Sequence, residues 1–407
     1  MQPDKKVNPL AEKTAAVLTD IILWLERYGE TSWDHQSYYA GPYGRWAKGL
    51  YYKNKWLGMA AVSPMVFSEA FFPAARRLFH HRIRLPIADA HYAMGFAYFG
   101  EATADPELLK KAEHFLEVLK QTRCPQYKEY CWGYPFDWVW RRGISQKETP
   151  LITTTPYAYE AFLQMQRLHP DEEKKRVIES IIRHARNDII DFKYSETANT
   201  CSYSPKDEGG VVNASSYRSV VLVSGAKYFG DDGLMEIANK NINFILEAQN
   251  ADGSWPYAKD GERDFVDHFH TCFVMKGLAK VYQFTGDGRI RTALERGLDY
   301  YLKNLFSEDG MPRPFSKAPR LTVYKCELYD CAECINLCVL LRKDFPQLQK
   351  TLETVVAQIL QKWVKFDGSF RSRKLILGWD NVPMHRWAQS QMFRALAYYY
   401  HDTMLRD

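Results

Sequence analysis

The chain has 407 residues, 46% of them apolar and 14% aromatic, and carries a net charge of +5. That mild basicity does not mark a nucleic-acid binder, which needs a concentrated basic stripe, and no apolar run approaches the ~18 residues of a membrane span. Met1-Gln-Pro-Asp-Lys-Lys has no apolar core of the kind that opens a secretory signal, so the eight Cys are expected as free thiols in a reducing, cytoplasmic setting.

Helical periodicity dominates. The spacing of apolar residues predicts helices over 8–28, 55–80, 86–101, 106–121, 153–168, 171–191, 214–229, 232–249, 266–284, 288–305, 325–342, 346–363 and 382–402. Within 171–191, for example, Val177, Ile181, Ile182 and Ala185 recur at three- and four-residue intervals with charges between them. Short strands are expected only in the longer loops. The basic clusters Arg76-Arg77 and His80-His81-Arg82 read as solvated helix ends.

The second half repeats with a period of about 57 residues. Each copy runs from a helix into an Asp-Gly turn (Asp252-Gly253, Asp309-Gly310, Asp367-Gly368), then through a loop into a more apolar helix. Glycine supplies the left-handed conformation that stops a helix, and Asp pairs with it in the turn. Weaker copies precede these, at Trp132-Gly133-Tyr134-Pro135 and Ser202-Tyr203-Ser204-Pro205. The apolar helices start near 86, 153, 214, 266, 325 and 382. One helix pair cannot bury its own face, so six or seven such pairs predict an all-α fold, a closed (α/α) toroid. No Pro/Gly/Ser-rich linker divides it, and residues 1–407 are read as one domain.

All loops leading into the apolar helices fall on one side of such a ring, which makes that mouth the expected site. The densest polar cluster is Asp264 through Cys272. Asp267 and His270 are three apart, hence on one helix face, and suit an oriented acid/base couple. A capped helix start and a metal ligand set are the competing readings of the same pair. Asp137, Asp252, Asp330 and Asp380 are the other loop or helix-start carboxylates. Asp137 and Asp330 join Asp267 and His270 as catalytic candidates, whereas Gly253 explains Asp252 as a turn residue. Trp132, Trp138, Trp140, Tyr203, Trp255 and Tyr257 come from loops on the same side and suit stacking on sugar rings. Asn213, His268, His385 and Arg386 complete the expected substrate-binding set, with Arg386 suited to a carboxylate-bearing substrate. Asp34 with His35, Tyr38 with Tyr39, and Asp89 with His91 are further residues expected at the cavity. Cys331, Cys334 and Cys338 share a helix face and read as small core residues. No bound metal and no cofactor is expected.

Asp252-Gly-Ser-Trp-Pro-Tyr257 followed by Asp267-His-Phe-His270-Thr resembles the VpsJ-type proteins of bacterial exopolysaccharide gene clusters, part of a broad six-hairpin glycosidase-like group. Trp132-Gly-Tyr-Pro-Phe-Asp137-Trp, Thr153-Thr-Thr-Pro156-Tyr, Val212-Asn213-Ala-Ser and Ser32-Trp-Asp34-His are similar to that family too. The resemblance implies a glycan context. It departs at Tyr329-Asp330-Cys331, where the family has an Asp-x-His pair. Gln249-Asn-Ala-Asp-Gly-Ser-Trp255 is similar to the QW repeat of triterpene cyclases, and Asp267-His-Phe-His270-Thr-Cys272 to the zinc-histidine segment of protein prenyltransferase β subunits. The catalytic Asp-x-Asp-Asp of the cyclases is missing here.

The expectation is therefore an α/α toroid acting on a glycan or sugar-derivative substrate by hydrolysis, elimination or epimerisation. An isoprenoid-handling toroid and a non-catalytic glycan-binding partner are the alternatives.

Overall fold

A computed structural model of the chain describes residues 8–141 and 143–406. The α-helices, in chain order, are α1 (Pro9–Tyr28), α2 (Ser37–Ala40), α3 (Pro42–Lys53), α4 (Lys55–Phe71), α5 (Arg76–Phe79), α6 (Pro86–Thr103), α7 (Pro106–Gln121), α8 (Thr155–Leu168), α9 (Glu172–Asn187), α10 (Val212–Phe229), α11 (Asp232–Ala248), α12 (His268–Thr285), α13 (Gly288–Asn304), α14 (Leu328–Leu341), α15 (Leu348–Lys362) and α16 (Ser390–Arg406).

Burial divides them. Helices α6, α8, α10, α12, α14 and α16 are apolar on nearly every side, and Val212–Ala226 of α10 is buried without interruption. A helix apolar all round must sit inside. These six pack side by side, and α16 closes against α6. There the approach is tight: a Cβ at Gly95 would lie 2.6 Å from the Phe393 ring. Helices α1, α7, α9, α11, α13 and α15 are amphipathic and form the outer layer. Asp105, Asp171, Asp231 and Asp287 start four of them by accepting hydrogen bonds from free backbone N–H groups of the first turn. The architecture is a closed toroid of six helical hairpins, and the count settles at six.

The turns from inner to outer helices are short. The loops from outer to inner helices are long and lie together at one mouth. Those loops carry all the strands described, which are two to four residues long: β1 (Trp138–Trp140), β2 (Gly143–Ser145), β3 (Asp191–Lys193), β4 (Asn199–Cys201), β5 (Val266–Asp267), β6 (Phe315–Lys317), β7 (Tyr324–Glu327), β8 (Arg373–Leu375) and β9 (Trp379–Asp380). Each pairing is antiparallel. The β5–β6 pair and the β7–β8–β9 sheet stitch neighbouring loops into a rim.

The N-terminal loop departs from the expected pattern. Residues 55–80 do not form one helix: Pro73 lacks an N–H to continue α4, and the chain turns through a 3₁₀ segment, Pro73–Ala75, into α5. Helix α3, which the sequence spacing did not predict, packs on α4 around Tyr38, Ala47 and Met65. Arg76 is not solvated. It is fully buried, donating to Glu69 at 2.7 Å and Asp380 at 3.1 Å. The last inner helix begins with a π-turn, His385–Gln389. All eight Cys are buried and free, and Cys326 lies on β7, outside the helix assigned to it from spacing. Among the described residues no helix is long and apolar enough to cross a membrane.

Candidate active site

The site is built where α12 begins. A bulge in the β5–β6 pairing falls between Val266 and Asp267, and bulges re-aim side chains. Asp267 then becomes the cap of α12, one residue before the helix. Its Oδ1 accepts from the backbone N of His270 at 2.9 Å, and its Oδ2 accepts from His270 Nδ1 at 2.6 Å. A carboxylate that fixes the Nδ1 proton leaves Nε2 as the ring's proton-transfer atom. The Asp267 side chain is buried, whereas that of His270 keeps 19% of its surface accessible. Rings surround it: Phe269 at 4.2 Å, Tyr257 edge-on at 4.6 Å and Phe273 at 5.7 Å between centroids.

Asp330, in the first turn of α14, is the second titratable group here. Both its oxygens are buried with no hydrogen-bond partner. Burial pushes its carboxyl well above the usual carboxylate range, and the neighbouring Glu327, Cys326 and Asp267 push the same way. Burial thus biases this carboxyl toward its protonated form, and it feels the charge of Asp267 in the imidazole–carboxylate pair.

Below the mouth the ring axis is filled. The Tyr157 ring of α8 lies 6.4 Å from that of Phe273 on α12, two helices away, and Tyr157 shares a 2.6 Å hydrogen bond with Tyr217. Deeper still, Lys276 pairs with Glu333 and Lys280 with Glu160. Arg394 reaches Glu160 and His91, each at 3.3 Å. Burial lowers the Lys280 ammonium and the His91 imidazole. The buried side-chain amide of Asn213, Glu333 Oε1 and His91 Nε2 have no protein partner, and such buried polar atoms call for a partner such as a water. Glu160, Lys276, Lys280, Glu333 and Arg394 were not singled out from the sequence. A signal was present, because charges set in otherwise apolar inner helices must find buried partners, although Arg218 of α10 finds its own at Asp191 and the Ala185 carbonyl, away from the axis.

The N-terminal loop covers the mouth. On one side Arg45 of α3 pairs with Asp137 at 3.1 Å, and Lys48 Nζ sits 3.2 Å from the Trp138 ring centre. Burial brings the Lys48 ammonium down to about 7. On the other side Asp34 accepts two hydrogen bonds from Arg386, at 2.7 and 3.0 Å. His35 packs 4.6 Å from Trp387, itself 4.5 Å from Tyr329 and 5.9 Å from Phe269. A buried ionic chain anchors this cover: Arg373 binds Glu69 of α4 at 2.9 Å and Glu327 at 2.5 Å.

Of the residues expected at the site, the structure brings Asp267, His270 and Tyr257 together, and buries Asp330 and Asn213 in the first turns of α14 and α10. Others are corrected. Trp132 and Trp255 are core residues whose indole N–H groups donate to the Leu119 carbonyl at 2.8 Å and the Ile245 carbonyl at 2.9 Å, each in the last turn of an outer helix. His268 is buried between the Leu305 carbonyl and Tyr301 Oη. His385 is buried between Tyr92 and the Gly29 carbonyl. Arg386 is already neutralised by Asp34. Asp137 ties α3 to the rim, accepting also from the Lys147 amide at 3.0 Å. Asp89 is held by Arg84 rather than facing the axis. Trp140 is half-buried on β1, and Tyr203 accepts from Thr153 at 2.9 Å in the neighbouring loop. Among the described residues no three His, Cys, Asp or Glu side chains converge as a metal-binding group.

No family model matches the chain, and no curated protein matches it by sequence. Solved structures do match its fold. A cellobiose 2-epimerase from Bacillus thermoamylovorans superposes with a TM-score of 0.62 at 11% identity, covering 80% of this chain and 88% of that one. An unsaturated glucuronyl hydrolase specific for heparin gives 0.62 at 10% identity and covers 98% of both chains. A D-mannose isomerase gives 0.57 at 14% identity, covering 78% and 87%. The six-hairpin α/α toroid is thus a fold shared with enzymes named for epimerisation, isomerisation and hydrolysis of sugars.

Proposed function

We propose that this chain is a carbohydrate-active enzyme of polysaccharide or glycan-precursor metabolism, one that moves a proton on a sugar bound at the ring mouth. The observation that carries this reading is the Asp267–His270 couple, whose free ring nitrogen opens among aromatic side chains. Nε2 of His270 takes a proton from carbon beside a sugar carbonyl. The electron pair moves to the carbonyl oxygen, which the Asp330 proton neutralises. Return of the proton from His270 to the other face, once the enol has turned over in the site, epimerises the carbon. Alternatively a group one carbon further on departs, protonated by the His270 imidazolium, which completes an elimination. Hydrolysis by two free carboxylates is less well supported, because Asp267 is committed to two hydrogen bonds with His270. The charged ring axis argues against an isoprenoid occupant, which would leave those charges desolvated beside hydrocarbon. The toroid neighbours and the segments similar to VpsJ-type proteins both favour a glycan.

The test uses reducing disaccharides and uronic-acid oligosaccharides in D₂O, with NMR reporting deuterium uptake and ultraviolet absorbance reporting unsaturated product. Turnover should fall by about 10²–10⁴ in His270→Ala, the usual worth of a positioned acid/base, with the melting temperature nearly unchanged. Survival of activity per folded molecule in that variant would refute the assignment. Binding of a glycan without exchange or product would support a non-catalytic role instead.

A further inference from the structure

The cover over the mouth has an unusual outer face. Helix α4 packs inward through Gly58, Met65, Glu69 and Ala70, and its opposite stripe should be polar. It reads instead Trp56, Leu57, Ala60, Ser63, Pro64, Phe67 and Phe71, all exposed and at helical spacing. Trp56 is 79% exposed and Phe67 57%, and the Phe67 ring lies 4.9 Å from Phe71 and 5.9 Å from Phe72. Trp46 of α3 and Leu78 of α5 extend the patch, at 59% and 82% exposure. Isolated exposed apolar residues are ordinary, but a contiguous face of large rings marks a surface that something covers.

Charge identifies the covering partner. Residues 42–82 contain seven Lys and Arg against a single Glu; Arg76 is held in buried ion pairs and Arg45 by Asp137, but the segment offers no exposed carboxylate. That single Glu, Glu69, is buried against Arg76 and Arg373. Lys53, Lys55 and Arg77 are exposed beside the rings. A second copy of this chain would bring one basic face onto another, which opposes a symmetric dimer. Aromatic and aliphatic side chains on a helix flanked by Lys and Arg match the boundary of an anionic bilayer, where rings enter the headgroup region and cations meet lipid phosphates.

We infer that the outer face of α3 to α5 seats this protein on an anionic lipid surface, with α4 lying in the interface plane. This stands independently of the reaction at the mouth.

The full-length protein is mixed with vesicles of phosphatidylcholine alone and of phosphatidylcholine with phosphatidylglycerol, and bound protein is measured by sedimentation and by Trp fluorescence. Binding should be strong only with the anionic vesicles, weaken with salt, and blue-shift the Trp emission. Trp56→Asp/Phe67→Asp should abolish it. Lys53→Glu/Lys55→Glu should weaken it by about thirtyfold or more, at roughly fivefold per cation near the surface. Both pairs are exposed, and an unchanged melting temperature separates lost binding from lost folding. Failure to partition at millimolar anionic lipid would overturn the inference. So would concentration-dependent dimerisation abolished by Trp56→Asp/Phe67→Asp, which would make a second copy the occupant. Tighter binding to soluble polyglutamate than to anionic vesicles would also overturn it and indicate an acidic protein partner.

Discussion

Trp255 gives the sharpest test of how the hairpins are held together. Its ring is 2% exposed, and its Nε1 donates to the Ile245 carbonyl at 2.9 Å. That carbonyl belongs to the last turn of α11, where no intrahelical N–H is available. The ring also presses on α13: a Cβ built on Gly297 would lie 2.4 Å from Trp255 Cζ3. Trp255→Ala should therefore cost about 3–5 kcal/mol for the lost volume, with the stranded carbonyl bringing it to the upper end of that range. Trp255→Phe keeps most of the ring and loses the donor, and should cost about 1–2 kcal/mol. Gly297→Ala alone overpacks the contact and should cost about 1–3 kcal/mol. Beside Trp255→Ala the same substitution meets a cavity and gains about 1 kcal/mol of helix propensity. Urea denaturation of the four proteins closes a double-mutant cycle with an expected coupling of about 2 kcal/mol or more. Additive effects, or a Trp255→Ala protein of normal stability that has lost glycan binding, would refute the assignment of this ring to the core.

Three further outcomes follow from buried charge. Burial raises the Asp330 carboxyl, so above the ordinary carboxylate range the unfolded chain binds fewer protons than the folded one and stability falls as pH rises. Asp330→Asn should flatten the urea midpoint between pH 5 and 8, and equal slopes in the two proteins would count against a protonated Asp330. Burial lowers His268 to about 3 and His385 to about 4, so between these values and 6.5 the unfolded chain binds more protons and stability rises with pH. Each should cost about 2 kcal/mol on going from pH 7 to 5, and His385→Gln should remove about half of that loss in a denaturation series. Lys276→Met leaves Glu333 buried without its cation and should cost about 3–5 kcal/mol, whereas Lys276→Met/Glu333→Met should recover most of that cost. A double variant as unstable as the single one would show that the pair is not the cause.

The hairpins were legible because their punctuation is local. Gly253 and Gly368 have φ of +91° and +89°, and each lies against a backbone carbonyl that a Cβ would strike. Asp252 and Asp367 hold the same turns by accepting from Ser254 and Ser369. Helix α3 escaped because its Gly, Tyr and Trp residues carry no clean apolar period, and its packing partner α4 is itself displaced from the ring. At the site, the repeat misled. Trp132 and Trp255 recur in matched loops because each seals the end of an outer helix, a need every hairpin shares. A substrate is not six-fold symmetric, so the candidates to meet it are the residues that break the repeat. Asp267 and His270 do so visibly, and Glu160, Lys276 and Arg394 do so as charges set in apolar helices. The side-chain tie from Asp34 to Arg386, separated by 352 residues, has no sequence signal at all.

Closure of α16 against α6 has a consequence for how the molecule is made. Phe393 packs on Tyr92 and Phe96, and Tyr398 on Tyr98, across about 300 residues of chain. At about 5–20 residues per second the ribosome delivers the second partner roughly 15–60 seconds after the first. For that interval the apolar flank of α6 lacks its neighbour, and the ring exists only as an open crescent. Nascent chains of this protein should depend on holdase chaperones until synthesis has passed Ser390, and premature release before that point should give aggregates rather than smaller folded rings.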